Sequence, residues 1–259
     1  MVAGDVAPLV AIVGETASGK SALAMVIAER CNGEIIAADS RTVYKGMDIG
    51  TAKPSREDRE RIPHYGLDMV TPAERFTAFD FKNEAIETMA SIVERGKVPI
   101  LVGGTGLYID SVIFDYRFNQ FGAERDETNP RHLKNPDQTD RSAMRSNTLV
   151  IGMRLEPEIL RKRIRERVDQ MVDAGLIGEV ERLTQKYGAE APALQAPGYK
   201  AFQKYLLGEV NLEQAKAEFI KNDLALAKRQ RTWFKRNQSI HWIQKQIEAV
   251  DLITTFLNK

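Results

Sequence analysis

Glycines at 14 and 19, followed by Lys20 and Ser21, set the spacing GxxxxGK[ST] in Gly14-Glu15-Thr16-Ala17-Ser18-Gly19-Lys20-Ser21. These residue types suit a diphosphate or polyphosphate. Backbone N–H groups can curl around the anion, the amino end of a following helix adds partial positive charge, Lys20 adds a full one, and Ser21 can ligate Mg²⁺. A second chemical group is Asp39, which closes Glu34-Ile35-Ile36-Ala37-Ala38. A carboxylate at a strand's carboxyl end faces the ligand crevice of a parallel sheet, where it can accept a proton or orient a nucleophile. Its structural alternative is a turn or capping aspartate. A third group is Thr105, behind Gly103 and Gly104, able to hydrogen-bond a phosphate oxygen or a second substrate while the glycines permit close backbone approach.

The strand VPILV at 98–102 runs into Gly-Gly-Thr and lacks the aspartate that holds Mg²⁺ in P-loop ATPases. A simple nucleotide triphosphatase is thereby weakened, and a nucleotide or small-molecule kinase stays open.

These groups need elements to bring them together. LVAIV at 9–13 is a continuous apolar run, as for a strand buried on both faces, and residues 20–30 read as a helix returning to the sheet. With the strand at 34–38 this opens a doubly wound α/β core. Residues 41–72 form a polar, turn-rich connection of the kind that holds substrates at strand ends. A helix is expected from Phe79 to Gly96, strands at 98–102 and 149–155, and helices at 156–170, 177–187, 199–207, 212–236 and 240–257. The expected fold is α/β: a P-loop NTPase-like parallel sheet core with a mainly helical C-terminal part.

With 43% hydrophobic and 28% charged residues, the 259-residue chain reads as an ordered soluble protein. One cysteine and three scattered histidines exclude a disulfide framework or a Cys/His zinc module and suit a reducing, cytoplasmic setting. No window of about 18 apolar residues suggests a membrane span. The net charge of +1 gives no argument for nucleic acid by itself. A local stripe does: KRQRTWFKR at 228–236 has five basic residues and no acidic one, with Lys228, Arg231 and Lys235 on one helical side as candidate phosphate-backbone contacts. The helix at 156–167, with Arg161, Lys162, Arg163, Arg165 and Arg167 among glutamates, reads mainly as a charged outer face.

Taken together, GETASGKS (14–21), ADSRTVYKGMDIGTAKP (38–54), IPHYGLDMV (62–70), VPILVGGTGLYI (98–109), RIRERVDQMVDAGLIGEVERL (163–183) and LAKRQRTWFKRN (226–237) resemble the tRNA dimethylallyltransferases. The resemblance implies transfer of a dimethylallyl group from dimethylallyl diphosphate to N6 of adenosine 37 in the tRNA anticodon loop, with Mg²⁺ as cofactor. It implies that the loop at 14–21 cradles the diphosphate and that Lys20 compensates its charge. Asp39 would be the general base, Asp39, Ser40, Arg41 and Thr42 would touch the RNA, and Thr105 would face it near the reacting phosphate. Lys53 and Tyr108 would be supporting residues. The partners implied are tRNA and the isoprenoid diphosphate, acted on by a monomer. Residues 1–118 would form the first part of the core, 119–148 a shortened insertion, with Asn129 to Leu133 as a remnant of a basic helix, and 149–259 the returning strand and closing helices. Family arginines are replaced by Gln195 and Leu224. With the shortened insertion, these departures motivate an alternative, a non-catalytic tRNA-binding relative.

Overall fold

The computed structural model describes residues 6–118 and 143–258. Six parallel strands form one sheet: β1 (Leu9–Gly14), β2 (Gly33–Ala37), β3 (His64–Tyr65), β4 (Val98–Gly103), β5 (Thr148–Met153) and β6 (Ile240–Ile243), in the order β3-β2-β4-β1-β5-β6. Strand β1 is central and wholly buried, as its unbroken apolar run requires. Its side chains divide with period two. Leu9, Ala11 and Val13 join one core and Val10 and Ile12 the other.

The second of these cores is closed by α1 (Lys20–Cys31) and α9 (Gln246–Leu257), through Leu23, Ile27, Ala249 and Ile253. The larger one takes α3 (Ala78–Glu94), α4 (Gly106–Ile113), α6 (Leu176–Tyr187), α7 (Pro197–Leu206) and much of α8 (Leu212–Phe234). Helix α5 (Pro157–Asp173) packs on α8 through Leu160, Ile164 and Ala227. Local signals start several helices. Thr77 and Asp80 form a capping box on α3, and Asn211 and Gln214 do so on α8.

The expected α/β class and the C-terminal helices are found. Three elements differ. Residues 240–257 are not one helix, because Ile240–Ile243 pairs in register with β5 from Val150 to Met153 before α9 begins. The connection at 41–72 contains α2 (Arg56–Arg61), capped by Ser55, and the short β3. Helix α4 follows Thr105 directly. The proposed insertion and the Asn129 to Leu133 remnant lie largely outside the described residues.

Candidate active site

The carboxyl ends of β1, β2 and β4 open into a cleft of about 800 Å³. Thr16, Ala17, Gly19, Lys20 and Ser21 line it together with Asp39 to Thr42 and Thr105. The three groups picked out for their chemistry therefore line one cavity, although they follow three different strands.

Each is held by its local backbone. Gly14 has φ +152°, and a Cβ there would lie 2.8 Å from the carbonyl oxygen of Met153, so the chain leaves β1 only as glycine. Gly19 (φ +96°) then starts α1 in a left-handed conformation. At the end of β4, a Cβ on Gly103 would sit 1.9 Å from the Ala38 carbonyl oxygen. That close approach lets Thr105 reach the turn after β2. Its Oγ1 accepts the N–H of Ser40 at 3.0 Å, and its own N–H donates to the Ala38 carbonyl at 3.3 Å. Asp39 Oδ1 accepts the N–H of Arg41 at 2.8 Å, an Asx turn. Its Oδ2 has no hydrogen-bond partner among the described residues, so the turn engages only one carboxylate oxygen.

The phosphate loop is only partly turned to the cleft. Gly14, Glu15 and Ser18 lie behind its wall. The Glu15 carboxylate forms a two-point pair with Arg231, from Nε to Oε1 and from Nη2 to Oε2, the latter at 3.1 Å. The N–H of Thr16 donates to Gln230 Oε1 at 2.7 Å, so it is spent within the protein. Lys20 Nζ donates to the Glu15 carbonyl at 3.2 Å. Lys20 is half-buried and borders the cleft. Burial pulls its pKa down to about 8, partly opposed by Asp39, which raises it, while Arg167 lowers it further.

Sequence reasoning missed the residues that α5 and α8 contribute. Arg163 and Arg167 line the cleft rather than an outer face. Arg163 Nη1 is 3.4 Å from the Ser18 carbonyl, and Arg167 pairs with Asp223 of α8 at 2.5 Å. Asp223, Arg229, Gln230 and Trp233 complete that side. Trp233 is fixed by donating Nε1–H to Asp110 at 2.9 Å, and its ring carries the Arg236 guanidinium at 4.0 Å. A usable signal existed: Arg163 and Arg167 are four apart, on one helical side.

The basic stripe divides in the structure. Arg231 is committed to Glu15 and turns inward, whereas Lys228 and Lys235 are exposed outside the cleft wall, and Arg229 is the member that borders it. Of the supporting residues, Lys53 is a loop anchor: its nearly inaccessible ammonium binds Asp48 (2.8 Å), Asp68 (2.6 Å) and the Tyr44 carbonyl (2.6 Å). Tyr108 is stacked on Phe81 in the core, its hydroxyl pKa driven above the usual range chiefly by burial. Gln195 spends its amide on the Ala189 carbonyl and Leu224 packs beside α5, so neither lines the cleft.

The polar atoms fit a magnesium-bound diphosphate. Ser18 Oγ and Arg167 Nε are buried without a hydrogen-bond partner, and Lys20, Arg163 and Arg167 concentrate positive charge beside them. No cluster of three or more His, Cys, Asp or Glu exists among the described residues. Ser21 lines the same cleft and would offer a hydroxyl oxygen to a Mg²⁺ ion bound with the diphosphate.

Known proteins share both this sequence and this architecture. The IPP transferase family model matches residues 42–141 and 124–237. The tRNA dimethylallyltransferase of Acetivibrio thermocellus is 38% identical over 284 aligned positions, covering 90% of each chain. That alignment is longer than the 259 residues of this chain, so the relative carries segments that this chain lacks. The crystal structure of the full-length tRNA isopentenylpyrophosphate transferase from Bacillus halodurans superposes with a TM-score of 0.85 at 34% identity, covering 98% of this chain and 97% of that one. A eukaryotic dimethylallyltransferase described as acting on tRNA aligns with a TM-score of 0.79 at 25% identity over 92% of this chain. Agreement this extensive, in order of elements as well as residues, makes the chain a member of the tRNA dimethylallyltransferase (IPP transferase) family.

Proposed function

We propose that this protein transfers a dimethylallyl group from dimethylallyl diphosphate to N6 of adenosine 37 in a tRNA anticodon loop, releasing diphosphate. The observation that carries the reading is the convergence of Lys20, Asp39 and Thr105 with Arg163 and Arg167 on one cleft of about 800 Å³.

An exocyclic adenine amine is a poor nucleophile because its lone pair is delocalised into the ring. The leaving group must therefore do much of the work. Lys20, Arg163 and Arg167 hold the diphosphate and stabilise the negative charge that grows on it as the allylic C–O bond breaks. Mg²⁺, held by Ser21 with the diphosphate, would supply additional charge neutralisation. N6 attacks the allylic carbon, and Asp39 Oδ2 takes the proton released as the C–N bond forms. Thr105 and Ser40 hold the Asp39 turn against β4 and border the acceptor. A base in a folded anticodon loop must leave its stack to reach such a site. Apolar wall residues such as Leu226 and Trp233 suit the isoprenoid.

The strand order supports separate places for the two substrates. The phosphate loop follows β1, and the α5 arginines follow β5. Asp39 and residues 50–52 follow β2 on the opposite side of β1. The donor diphosphate belongs to the first half and the adenine to the second.

The test is incubation of the purified protein with dimethylallyl diphosphate, Mg²⁺ and unmodified tRNA bearing adenosine 37, followed by nucleoside mass spectrometry. N6-dimethylallyladenosine is expected. Binding of tRNA without product would reduce the protein to a non-catalytic relative.

A further inference from the structure

Behind the cleft wall at residues 50–52 lies a buried carboxylate to which the reaction above gives no part. Glu179 of α6 is 1% exposed. Its Oε2 accepts the N–H groups of Asp48 (2.9 Å) and Ile49 (2.8 Å), while Oε1 accepts the N–H of Gly50 (2.9 Å) and the hydroxyl of Tyr199 (2.6 Å). Three successive backbone N–H groups converging on one anion form a nest, here filled by the protein's own side chain. Four donors meet the two oxygens, which suits an ionised carboxylate that acts only as an acceptor. A carboxamide would offer one accepting oxygen and turn its NH₂ toward donors.

The segment held in this way forms part of the cleft. Gly50, Thr51, Ala52 and Tyr199 all line it. Gly50 is pressed on the tyrosine so closely that a Cβ would lie 2.7 Å from the Tyr199 hydroxyl. Asp48 links the two anchors of the segment, giving its N–H to Glu179 and its carboxylate to Lys53. Both anchors are charged groups buried under the wall rather than pointing into the cavity.

We infer that Glu179 is a positioning residue for the acceptor: it holds residues 48–52 in the shape that tRNA meets, without touching either substrate. The inference rests on the proposed function, specifically on assigning the β2 side of the cleft to the acceptor. It requires an asymmetry that a purely structural acid would not produce. Loosening the segment impairs use of tRNA and spares the donor half at β1 and α5.

The experiment compares wild type and Glu179→Gln by amide hydrogen exchange, by titration with dimethylallyl diphosphate, and by steady-state transfer to tRNA. Exchange at residues 48–50 is expected to accelerate at least tenfold while the phosphate loop keeps its protection. The kcat/KM for tRNA is expected to fall at least tenfold, with donor affinity within twofold. Unchanged exchange at 48–50, a wild-type kcat/KM for tRNA, or equal losses for donor and acceptor would each overturn the inference. Should Glu179→Gln fail to fold, Gly50→Ala perturbs the same wall from the Tyr199 side. An acceptor-only loss there supports the role, and no loss or a loss shared with the donor overturns it. If wild type itself transfers nothing to tRNA, the proposed function fails and takes the acceptor role with it, while exchange still decides whether Glu179 holds the segment.

Discussion

Lys20 combines two opposed effects in one side chain. Burying its ammonium is unfavourable, which is why its pKa falls to about 8, and a bound diphosphate would repay that cost. In the free protein the charge is lost as pH rises through about 8, so donor affinity should weaken across that range while the bound complex holds the proton. The stability sign is the reverse of a salt-bridged group. Because the folded pKa lies below the unfolded one, the penalty is fully present at pH 7 and relieved as pH rises from about 8 toward the ordinary lysine value. Lys20→Met should therefore abolish most turnover at saturating donor yet raise the melting temperature of the ligand-free protein; a lowered melting temperature would contradict the buried-charge account. Asp39 separates differently. Asparagine can still accept the Arg41 N–H, so Asp39→Asn keeps the Asx turn and removes only the proton acceptor. Single-turnover transfer should fall by roughly 10² to 10⁴, with donor affinity and melting temperature nearly unchanged. Transfer at the wild-type rate would mean that the amine loses its proton elsewhere.

Whole elements decide what was legible in the sequence. The phosphate loop, Asp39 and Thr105 could be read because each ends an apolar strand at a glycine or a turn, and the parallel sheet brings such ends together. Residues 240–243 fall inside the expected helix because Trp242, Ile243, Ile247 and Val250 suit a helical face, yet β5 offers an open edge and Trp242 packs on Gly152, where a Cβ would lie 2.6 Å from its ring. Long-range pairing of this kind leaves little local trace. The α5 arginines were missed for the opposite reason. Interleaved glutamates make the helix look like a solvated surface, and only its packing on α8 through Leu160, Ile164 and Ala227 aims Arg163 and Arg167 at the phosphate loop. Nor does sequence spacing reveal that Arg231 is consumed by Glu15. Arg163 gives this arrangement a clean test, since its one hydrogen bond among the described residues, to the Ser18 carbonyl, is long and its loss strands no buried acid there. A charged hydrogen bond is worth roughly 1.5–3 kcal/mol, so Arg163→Gln should raise the donor KM by about tenfold or more. The melting temperature and the KM for tRNA should hold. If the donor KM stays at its wild-type value, α5 contributes only scaffold.

Across the whole molecule, the sheet separates chemistry from stability along its strands. The carboxyl ends carry the cleft. Near the amino end of β2, Glu34 is 2% exposed and receives Lys97 at 2.6 Å, Arg95 at 2.5 Å and the Tyr65 hydroxyl at 2.8 Å, tying three neighbouring strands and the end of α3 together. Burial pushes the Glu34 carboxyl up, but Lys97, Arg95 and Tyr65 outweigh it and hold the pKa below its usual value. The stabilisation is thus complete above the unfolded carboxyl pKa and is lost as pH falls through the lower folded one. Breaking a fully buried pair costs about 3–5 kcal/mol. Here both cations are partly exposed and can regain water, so about 1–3 kcal/mol is the fitting scale for Glu34→Gln. For a chain of this size that corresponds to a melting-temperature loss of roughly 2–10 °C. A ligand bound at the opposite end adds its stabilisation by mass action, independent of Glu34. Saturating dimethylallyl diphosphate with Mg²⁺ should therefore raise the melting temperatures of wild type and Glu34→Gln by equal amounts, with the same donor affinity in both. A smaller rise in the variant would show that the two ends of the sheet are coupled, and the separation drawn from the strand order would have to be abandoned.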